Sequence, residues 1–169
     1  MRPALVVVSG PPGAGKTTLA HTLAREIGCP AICRDEIKEG MVHGTAAPGE
    51  ELTLRTLAVF FQVVELLLAA GVTTVAEAAF QHHVWQPRLR PLRAMADVRV
   101  VQCHVTAATA RARIHHRGPR HAHADSNAIT PDAFRHLYLD VPELDVDTTD
   151  GYRPGLDEIV AFLNAGRAA

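Results

Sequence analysis

A glycine-rich segment near the start of the chain has the residue types that bind the phosphates of a nucleotide. Gly10-Pro11-Pro12-Gly13-Ala14-Gly15-Lys16-Thr17 matches the pattern G-x-x-x-x-G-K-[ST] at each fixed position. Glycines let the backbone curl so that successive N–H groups face an anion, and the lysine adds a point charge at the terminal phosphates. The Thr17 hydroxyl is a ligand for Mg²⁺ in such segments. The predicted contacts to a nucleoside triphosphate are Gly13, Ala14, Gly15, Lys16, Thr17 and Thr18.

The residues on either side of this segment have the patterns of a strand and a helix. Leu5-Val6-Val7-Val8 is continuously apolar, which is typical of a strand covered on both faces in a parallel sheet. Leu19, Leu23 and Ile27 share one helical stripe, and Gly28 ends that helix. The segment is therefore predicted to join a strand to a helix, which is the context that a phosphate-binding loop requires.

The rest of the chain alternates predicted strands with predicted helices. Further strands are predicted at 31–33, 72–76, 99–105 and 144–147, and helices at 48–70, 107–116, from 130 onward and at 156–164. This alternation predicts right-handed crossovers and a kinase-like P-loop NTPase fold, a three-layer α/β/α domain with a parallel five-stranded sheet. Because ligands bind at the carboxyl ends of such strands, the residues that follow each strand are the candidates for chemistry.

Length and composition narrow the class of protein. The 169 residues, 47% apolar and 21% charged, predict one domain, 1–169, with one core. A net charge of −1 gives no overall attraction to nucleic acid or to an anionic membrane. The apolar run 57–70 contains Gln62 and Glu65 and is too short to cross a bilayer. Three cysteines without a CxxC pair, and no apparent signal segment, predict a cytoplasmic protein with reduced thiols.

Among the proteins that use such a loop, the sequence favours kinases. The asparagines, Asn127 and Asn164, are each followed by alanine, so the Asn-Lys-x-Asp segment by which GTPases read guanine is missing. The Leu-Ser-Gly-Gly signature of transporter ATPases is also missing from the sequence. The length leaves little room for the second helical subdomain of hexameric motor ATPases. A compact kinase-like protein is the class that remains.

The motifs and their order resemble the small P-loop kinases grouped with chloramphenicol phosphotransferase and the zeta-toxin kinases. The resembling pieces are GPPGAGKTT, CRDEIKEGM after the second strand, VAEAAF after the third, ARARIHHR opening a lid, and VDTT ending the fifth. They span most of the chain. The resemblance implies transfer of the γ-phosphate of ATP to a hydroxyl of a small molecule, such as an antibiotic, nucleoside or sugar, with ATP and Mg²⁺ as cofactors. It does not identify the acceptor.

Two carboxylates follow neighbouring predicted strands. In the resembling family a carboxylate at the position of Asp35 faces the acceptor hydroxyl, which makes Asp35 the candidate general base. Asp35 could instead cap a helix beginning near Glu36. Glu77 stands where many relatives have Asp; it could bind the water shell of Mg²⁺, contact the acceptor, serve as the base, or be a solvated strand end. Arg34 is a candidate substrate contact or a surface arginine.

Candidates for the acceptor side follow the third predicted strand. The segment 80–85 stands in the usual position for acceptor contacts in the resembling family, and an aromatic wall with polar tips suits a small organic molecule. His82 and Trp85 are therefore candidate substrate contacts. Core packing is the alternative for Trp85.

The basic stretch 111–121 resembles the start of the family's lid, which we place at about 113–130. The resemblance puts Arg117 at the transferring phosphate oxygens and Arg113 near the adenine, with Arg120 as a second candidate contact. Such charges stabilise the transition state and help to exclude water. A solvated basic helix end is the alternative. The histidines of this stretch have no cysteine beside them and do not predict a zinc site.

Two other function classes stay open at this point. The lid could hold an acceptor phosphate, as in a nucleoside, nucleotide or polynucleotide kinase, although the near-zero net charge disfavours a long nucleic-acid track. The third class is an ATP-dependent sensor or switch, in which hydrolysis changes the contact with a partner and no phosphorylated product forms.

Overall fold

The computed structural model describes residues 2–42, 49–80, 82–117 and 136–166, and these alternate strands with helices. The strands are β1 (Ala4–Ser9), β2 (Ala31–Cys33), β3 (Thr74–Glu77), β4 (Asp97–His104) and β5 (Glu143–Asp147). The helices are α1 (Lys16–Ile27), α2 (Arg34–Val42), α3 (Gly49–Ala69), α4 (His82–Leu89), α5 (Ala107–Arg117) and α6 (Leu156–Asn164), with a short 3-10 helix, Arg90–Ala94, after α4. The helix predicted from residue 130 and the lid region 118–130 lie outside the described residues.

β1 is the central strand of the sheet. All six of its residues are buried, as expected of a strand covered by helices on both faces. It pairs in parallel with β3 on one side and with β4 on the other. β2 and β5 add to β3 and β4, also in parallel, so the strand order is β2-β3-β1-β4-β5. The predicted parallel five-stranded sheet is confirmed.

The sheet separates two apolar clusters, which form the core. Successive side chains of a strand point to opposite faces, so Leu5 and Val7 belong to one cluster while Val6 and Val8 belong to the other. The first cluster is covered mainly by α3 and α4, and the second by α1 and α6. This gives the predicted three layers and leaves the carboxyl edge of the sheet for the residues that follow the strands.

Among the described residues, α3 is the one helix long and apolar enough to cross a membrane by length and composition. The apolar run 57–70 is shorter than this helix, which begins at Gly49, one residue after the predicted start. Its side chains Phe60, Phe61 and Val64 are buried in the first cluster. One side of α3 therefore packs in the core, whereas its Leu54 and Leu66 are exposed.

The loop between β1 and α1 is possible only with glycine at particular positions. Gly13 and Gly15 have φ angles of +81° and +74°, which are left-handed backbone conformations. A Cβ atom on Gly13 would lie 2.6 Å from the carbonyl oxygen of Ala110 in α5. Gly13 therefore allows α5 to approach the loop backbone closely, in addition to allowing the turn.

We expect Gly13→Ala to lower the free energy of unfolding more than Gly28→Ala does. Gly28, at the end of α1, has a similar φ of +69°, but a Cβ there meets nothing within 4 Å. Both variants place alanine in a left-handed backbone conformation, which costs about 1 kcal/mol. At Gly13 the close contact with α5 should cost about 1 kcal/mol or more in addition. Urea denaturation of both variants measures the difference. Equal losses would contradict the close approach of α5.

Candidate functional site

The glycine-rich loop places Lys16 and Thr17 at the carboxyl edge of the sheet. α1 begins at Lys16, directly after the left-handed Gly15. Inside the loop the N–H of Ala14 donates to the carbonyl oxygen of Pro11 at 3.2 Å. The buried Lys16 ammonium donates to the same oxygen at 2.9 Å. Positive charge and the free N–H groups of the helix start thus lie together, which is the arrangement that binds phosphate.

Glu77 is the carboxylate that faces these two side chains. It is the last residue of β3, opposite Val8 of β1, and only 2% of it is exposed. The Thr17 hydroxyl donates to Oε2 of Glu77 at 3.1 Å, and the Lys16 Nζ lies 4.0 Å from Oε1. Because Glu77 is buried, it is not a solvated strand end. Its carboxylate and the Thr17 hydroxyl are adjacent oxygen ligands of the kind that Mg²⁺ prefers.

Burial raises the pKa of Glu77 above its ordinary value, and the charge of Asp35 raises it further, although Lys16 and the Thr17 hydrogen bond oppose the shift. The net effect is that the folded protein holds the proton of this carboxyl more tightly than the unfolded chain does. Ionised Glu77 therefore costs stability in spite of the nearby Lys16, and a divalent cation bound beside it would reduce that cost.

We expect Glu77→Gln to be more stable than the wild type in mildly alkaline buffer and similar to it in acid, without nucleotide or Mg²⁺. The wild type loses stability as the pH rises above the ordinary carboxyl pKa of 4.5, because the unfolded chain releases this proton first. Glutamine mimics the protonated carboxyl and does not ionise. Urea denaturation at several pH values measures the effect, with the exposed Glu65→Gln as control. A loss of stability equal at all pH values would contradict it.

Asp35 lies in the first turn of α2, immediately after β2. Its Oδ1 accepts a hydrogen bond from Nη1 of Arg34 at 3.2 Å, and its side chain is 35% exposed. α2 begins at Arg34 rather than near Glu36, so Asp35 lies inside the first turn and does not occupy the capping position before it. Its negative charge raises the pKa of Glu77, although less than burial does. The two carboxylates have different surroundings, since Glu77 is buried and Asp35 is partly exposed.

A cavity of about 350 Å³ adjoins the loop on the β4–β5 side. Arg113 of α5 forms part of its wall. The guanidinium donates to the carbonyl oxygens of Gly13 at 3.3 Å, Thr148 at 2.6 Å and Thr149 at 2.8 Å. It therefore joins the loop to the segment after β5. The full lining is Gly13, Gly15, Thr18, Arg113, Thr148, Gly151 and Tyr152.

Trp85 is part of the core. It is buried, and its ring centroid lies 4.7 Å from that of Phe80 and 5.6 Å from those of Phe60 and Phe61. The packing alternative accounts for these contacts, and the buried ring offers little surface to an acceptor.

Other predicted residues are described in part or not at all. His82 begins α4 and Arg117 ends α5, but their side chains lie outside what the structure describes. Arg120 lies outside the described residues altogether. Their proposed contacts therefore stay predictions.

One residue that lines the cavity was not predicted from the sequence. Tyr152 lines the cavity beside Arg113 from an irregular segment after β5. It belongs to no motif, so no local pattern indicates it.

Comparison with solved structures shows that this fold is shared with proteins described as kinases. The crystal structure of a candidate kinase from Chloroflexus aurantiacus J-10-fl is 24% identical, covers 97% of this chain and 98% of its own, and has a TM-score of 0.82. A sugar kinase from Janibacter sp. HTCC2649 is 19% identical, with coverages of 97% and 96% and a TM-score of 0.67. A gluconokinase from Sinorhizobium meliloti 1021 is 18% identical, with coverages of 95% and 91% and a TM-score of 0.61.

The comparison with curated proteins found no match. The scan against family models found one, described as AAA domain (AAA_33), over residues 5–138. That range begins in β1 and includes the phosphate loop, Asp35, Glu77 and all of α5. The match covers well over half of the chain and agrees with the P-loop geometry of Lys16 and Thr17. The chain therefore belongs to the AAA_33 family of AAA domains, with a kinase-like P-loop fold.

Proposed function

We propose that the protein is an ATP-dependent phosphotransferase that moves the γ-phosphate of ATP to a hydroxyl group of a small molecule. The observation that supports this most is the pair of carboxylates at neighbouring strand ends. Glu77 is buried against Thr17 and Lys16. The Asp35 side chain is partly exposed and accepts a hydrogen bond from Arg34. A partly exposed carboxylate beside the phosphate site can accept the proton of an attacking hydroxyl group.

The residues proposed to bind ATP form two groups, one around the phosphates and one around the nucleoside. Lys16 supplies positive charge at the β- and γ-phosphates. Thr17 and Glu77 are the residues that would hold Mg²⁺, which would neutralise charge on the phosphate oxygens. The cavity of about 350 Å³ beside Arg113 and Tyr152 has the size of a small-ligand pocket and suits the nucleoside.

On the acceptor side, Asp35 takes the proton of the attacking hydroxyl. The hydroxyl oxygen forms a bond to the γ-phosphorus while the bond from that phosphorus to the bridging oxygen breaks, and ADP leaves. Arg34 orients the Asp35 carboxylate by its 3.2 Å hydrogen bond. We assign Arg117, with Arg120 as a second candidate, to the transferring phosphate, and His82 to the acceptor, on the resemblance to chloramphenicol phosphotransferase and its relatives.

A hydroxyl-bearing small molecule is the acceptor class that the comparisons favour. The sugar kinase and the gluconokinase share this fold over nearly all of the chain. The net charge of −1 argues against a long nucleic-acid partner. A cytoplasmic location fits the availability of ATP and reduced thiols.

Product analysis tests the proposal. The purified protein is incubated with ATP and Mg²⁺ and with separate panels of sugars, nucleosides, hydroxyl-bearing antibiotics and oligonucleotides, and mass spectrometry detects any compound that gains one phosphate. We expect one small-molecule class to gain phosphate, with an equal amount of ADP formed. ADP formation stimulated only by a protein partner, with no phosphorylated compound, would overturn the proposal in favour of a switch. Phosphorylation of oligonucleotides alone would favour a polynucleotide kinase.

A further inference from the structure

Three potential metal ligands from three elements converge beside the phosphate site. His21 lies on α1, Cys33 ends β2 and Glu36 lies in the first turn of α2. The His21 Nε2 is 3.7 Å from Sγ of Cys33 and 2.7 Å from Oε1 of Glu36. All three ligand atoms lie within 4.8 Å of one another. Nitrogen, sulfur and oxygen donors are thus gathered at one point.

The distances between these atoms are close to those of a tetrahedral zinc site. With usual Zn–S and Zn–N lengths, a tetrahedral angle puts sulfur and nitrogen about 3.6 Å apart, and the observed separation is 3.7 Å. The nitrogen–oxygen separation in such a site is about 3.3 Å, whereas His21 and Glu36 are 2.7 Å apart in a hydrogen bond. To reach that separation from His21, the Glu36 carboxylate has to retreat by about 0.6 Å. Its side chain is 46% exposed, so there is room for that movement.

Two carboxylates lie near the buried sulfur of Cys33. Glu36 is itself one of the three potential ligands, and Glu77 lies opposite Cys33 in the neighbouring strand β3. A cation bound at this point would lie next to negative charge, which favours its binding.

We propose that His21, Cys33 and Glu36 form a binding site for a thiophilic divalent cation, of which Zn²⁺ is the expected one. The half-exposed His21 and Glu36 leave the fourth coordination position open to water. The sulfur ligand separates this site from the oxygen ligands of Thr17 and Glu77, which suit Mg²⁺.

The bound ion would join two helices that carry the proposed chemistry. α1 begins with Lys16 and Thr17, and α2 carries Asp35. An ion held by His21 on α1 and Glu36 on α2 fixes these helices relative to each other and should stabilise the folded chain. The metal site goes beyond the proposed function and can be tested without any measurement of phosphate transfer.

Cobalt spectroscopy on the metal-free full chain tests this site. Co²⁺ is titrated in the presence of excess Mg²⁺, and we expect a thiolate-to-cobalt charge-transfer band that saturates at one equivalent and disappears on addition of Zn²⁺. Cys33→Ser should remove the band and weaken Zn²⁺ binding at least about 100-fold, since even residues that only support a metal ligand cost up to that much. Zn²⁺ should also raise the Tm of the wild type and not that of the variant.

Cys29→Ser is the matched control, because Cys29 lies near the other end of β2, before it, and is the nearest thiol along the chain. It should keep the band. His104, His136 and Asp145 form another group of potential ligands, but they contain no sulfur and cannot produce this band. If the buried Cys33→Ser variant does not fold, His21→Ala and Glu36→Gln replace it, and each should weaken Zn²⁺ binding at least about tenfold. No band in the wild type, or Zn²⁺ affinity unchanged in these variants, would overturn the proposal.

Discussion

Lys16→Ala is expected to reduce phosphate transfer by at least about 1000-fold, the upper range for loss of one group that stabilises transition-state charge. The ammonium is buried between the Pro11 carbonyl and the Glu77 carboxylate, at 2.9 and 4.0 Å. Water screens a charge little at such a place, so its attraction for the phosphate oxygens is strong. Removing it also leaves Glu77 as an unopposed negative charge next to the position of the γ-phosphate.

Initial rates of ADP and product formation at saturating ATP measure the effect of Lys16→Ala. Arg25→Ala is the matched control, since it removes an exposed cation from the far end of the same helix. It should change the rate less than about twofold, as expected of a surface charge far from the chemistry. Circular dichroism verifies that both variants are folded. Turnover near the wild-type rate in Lys16→Ala would show that the loop does not act on the transferred phosphate.

Asp35→Asn is expected to bind ATP normally and to lose about 100- to 10,000-fold in turnover, the usual contribution of a general base. Asparagine keeps the shape and can still accept the hydrogen bond from Arg34, but it cannot take the acceptor proton. Asp35 lies in α2, outside the phosphate loop, and its side chain is partly exposed. The substitution should therefore leave the phosphate loop undisturbed.

Glu77→Gln provides the contrast that separates the two carboxylates. Glu77 bonds to Thr17, so its variant should lose Mg²⁺-dependent ATP affinity, which isothermal titration calorimetry measures with and without Mg²⁺. Asp35→Asn should show wild-type affinity in the same measurement. Near-normal turnover in Asp35→Asn would remove Asp35 from the role of base and leave Glu77 as the candidate.

The sheet was predictable because β1 is a continuous apolar run and the other strand patterns alternate with helical ones along the chain. The boundaries of its strands were less predictable. The third strand was predicted at 72–76, where the apolar run ends, but β3 runs from Thr74 to Glu77. Pairing decides that end: Glu77 lies opposite Val8 of β1 and Cys33 of β2. Backbone hydrogen bonds from both neighbours thus keep a charged residue inside the strand, which composition alone does not indicate.

The phosphate loop could be predicted because its residues are contiguous, whereas the rest of the site depends on contacts far apart in sequence. Thr17 and Glu77 are 60 positions apart, and Arg113 bonds to Gly13 across 100 positions. Cys33 became a candidate ligand only when β2 brought it beside His21. A local sequence pattern does not indicate contacts between residues so far apart in the chain. The family resemblance indicated Arg113 in general terms, and the fold supplies its three carbonyl partners.

The strand order has a consequence for redesign of the site. Asp35 lies on the β2–β3 side of β1, and the cavity beside Arg113 lies on the β4–β5 side. The apolar clusters nevertheless cross β1, since Ala76 of β3 and Val100 of β4 belong to the same cluster. A buried substitution on one side therefore has to be accommodated by the other side. Under the proposed function, a protein engineer who wants a different acceptor would change the residues that follow the strands and leave the strands themselves intact.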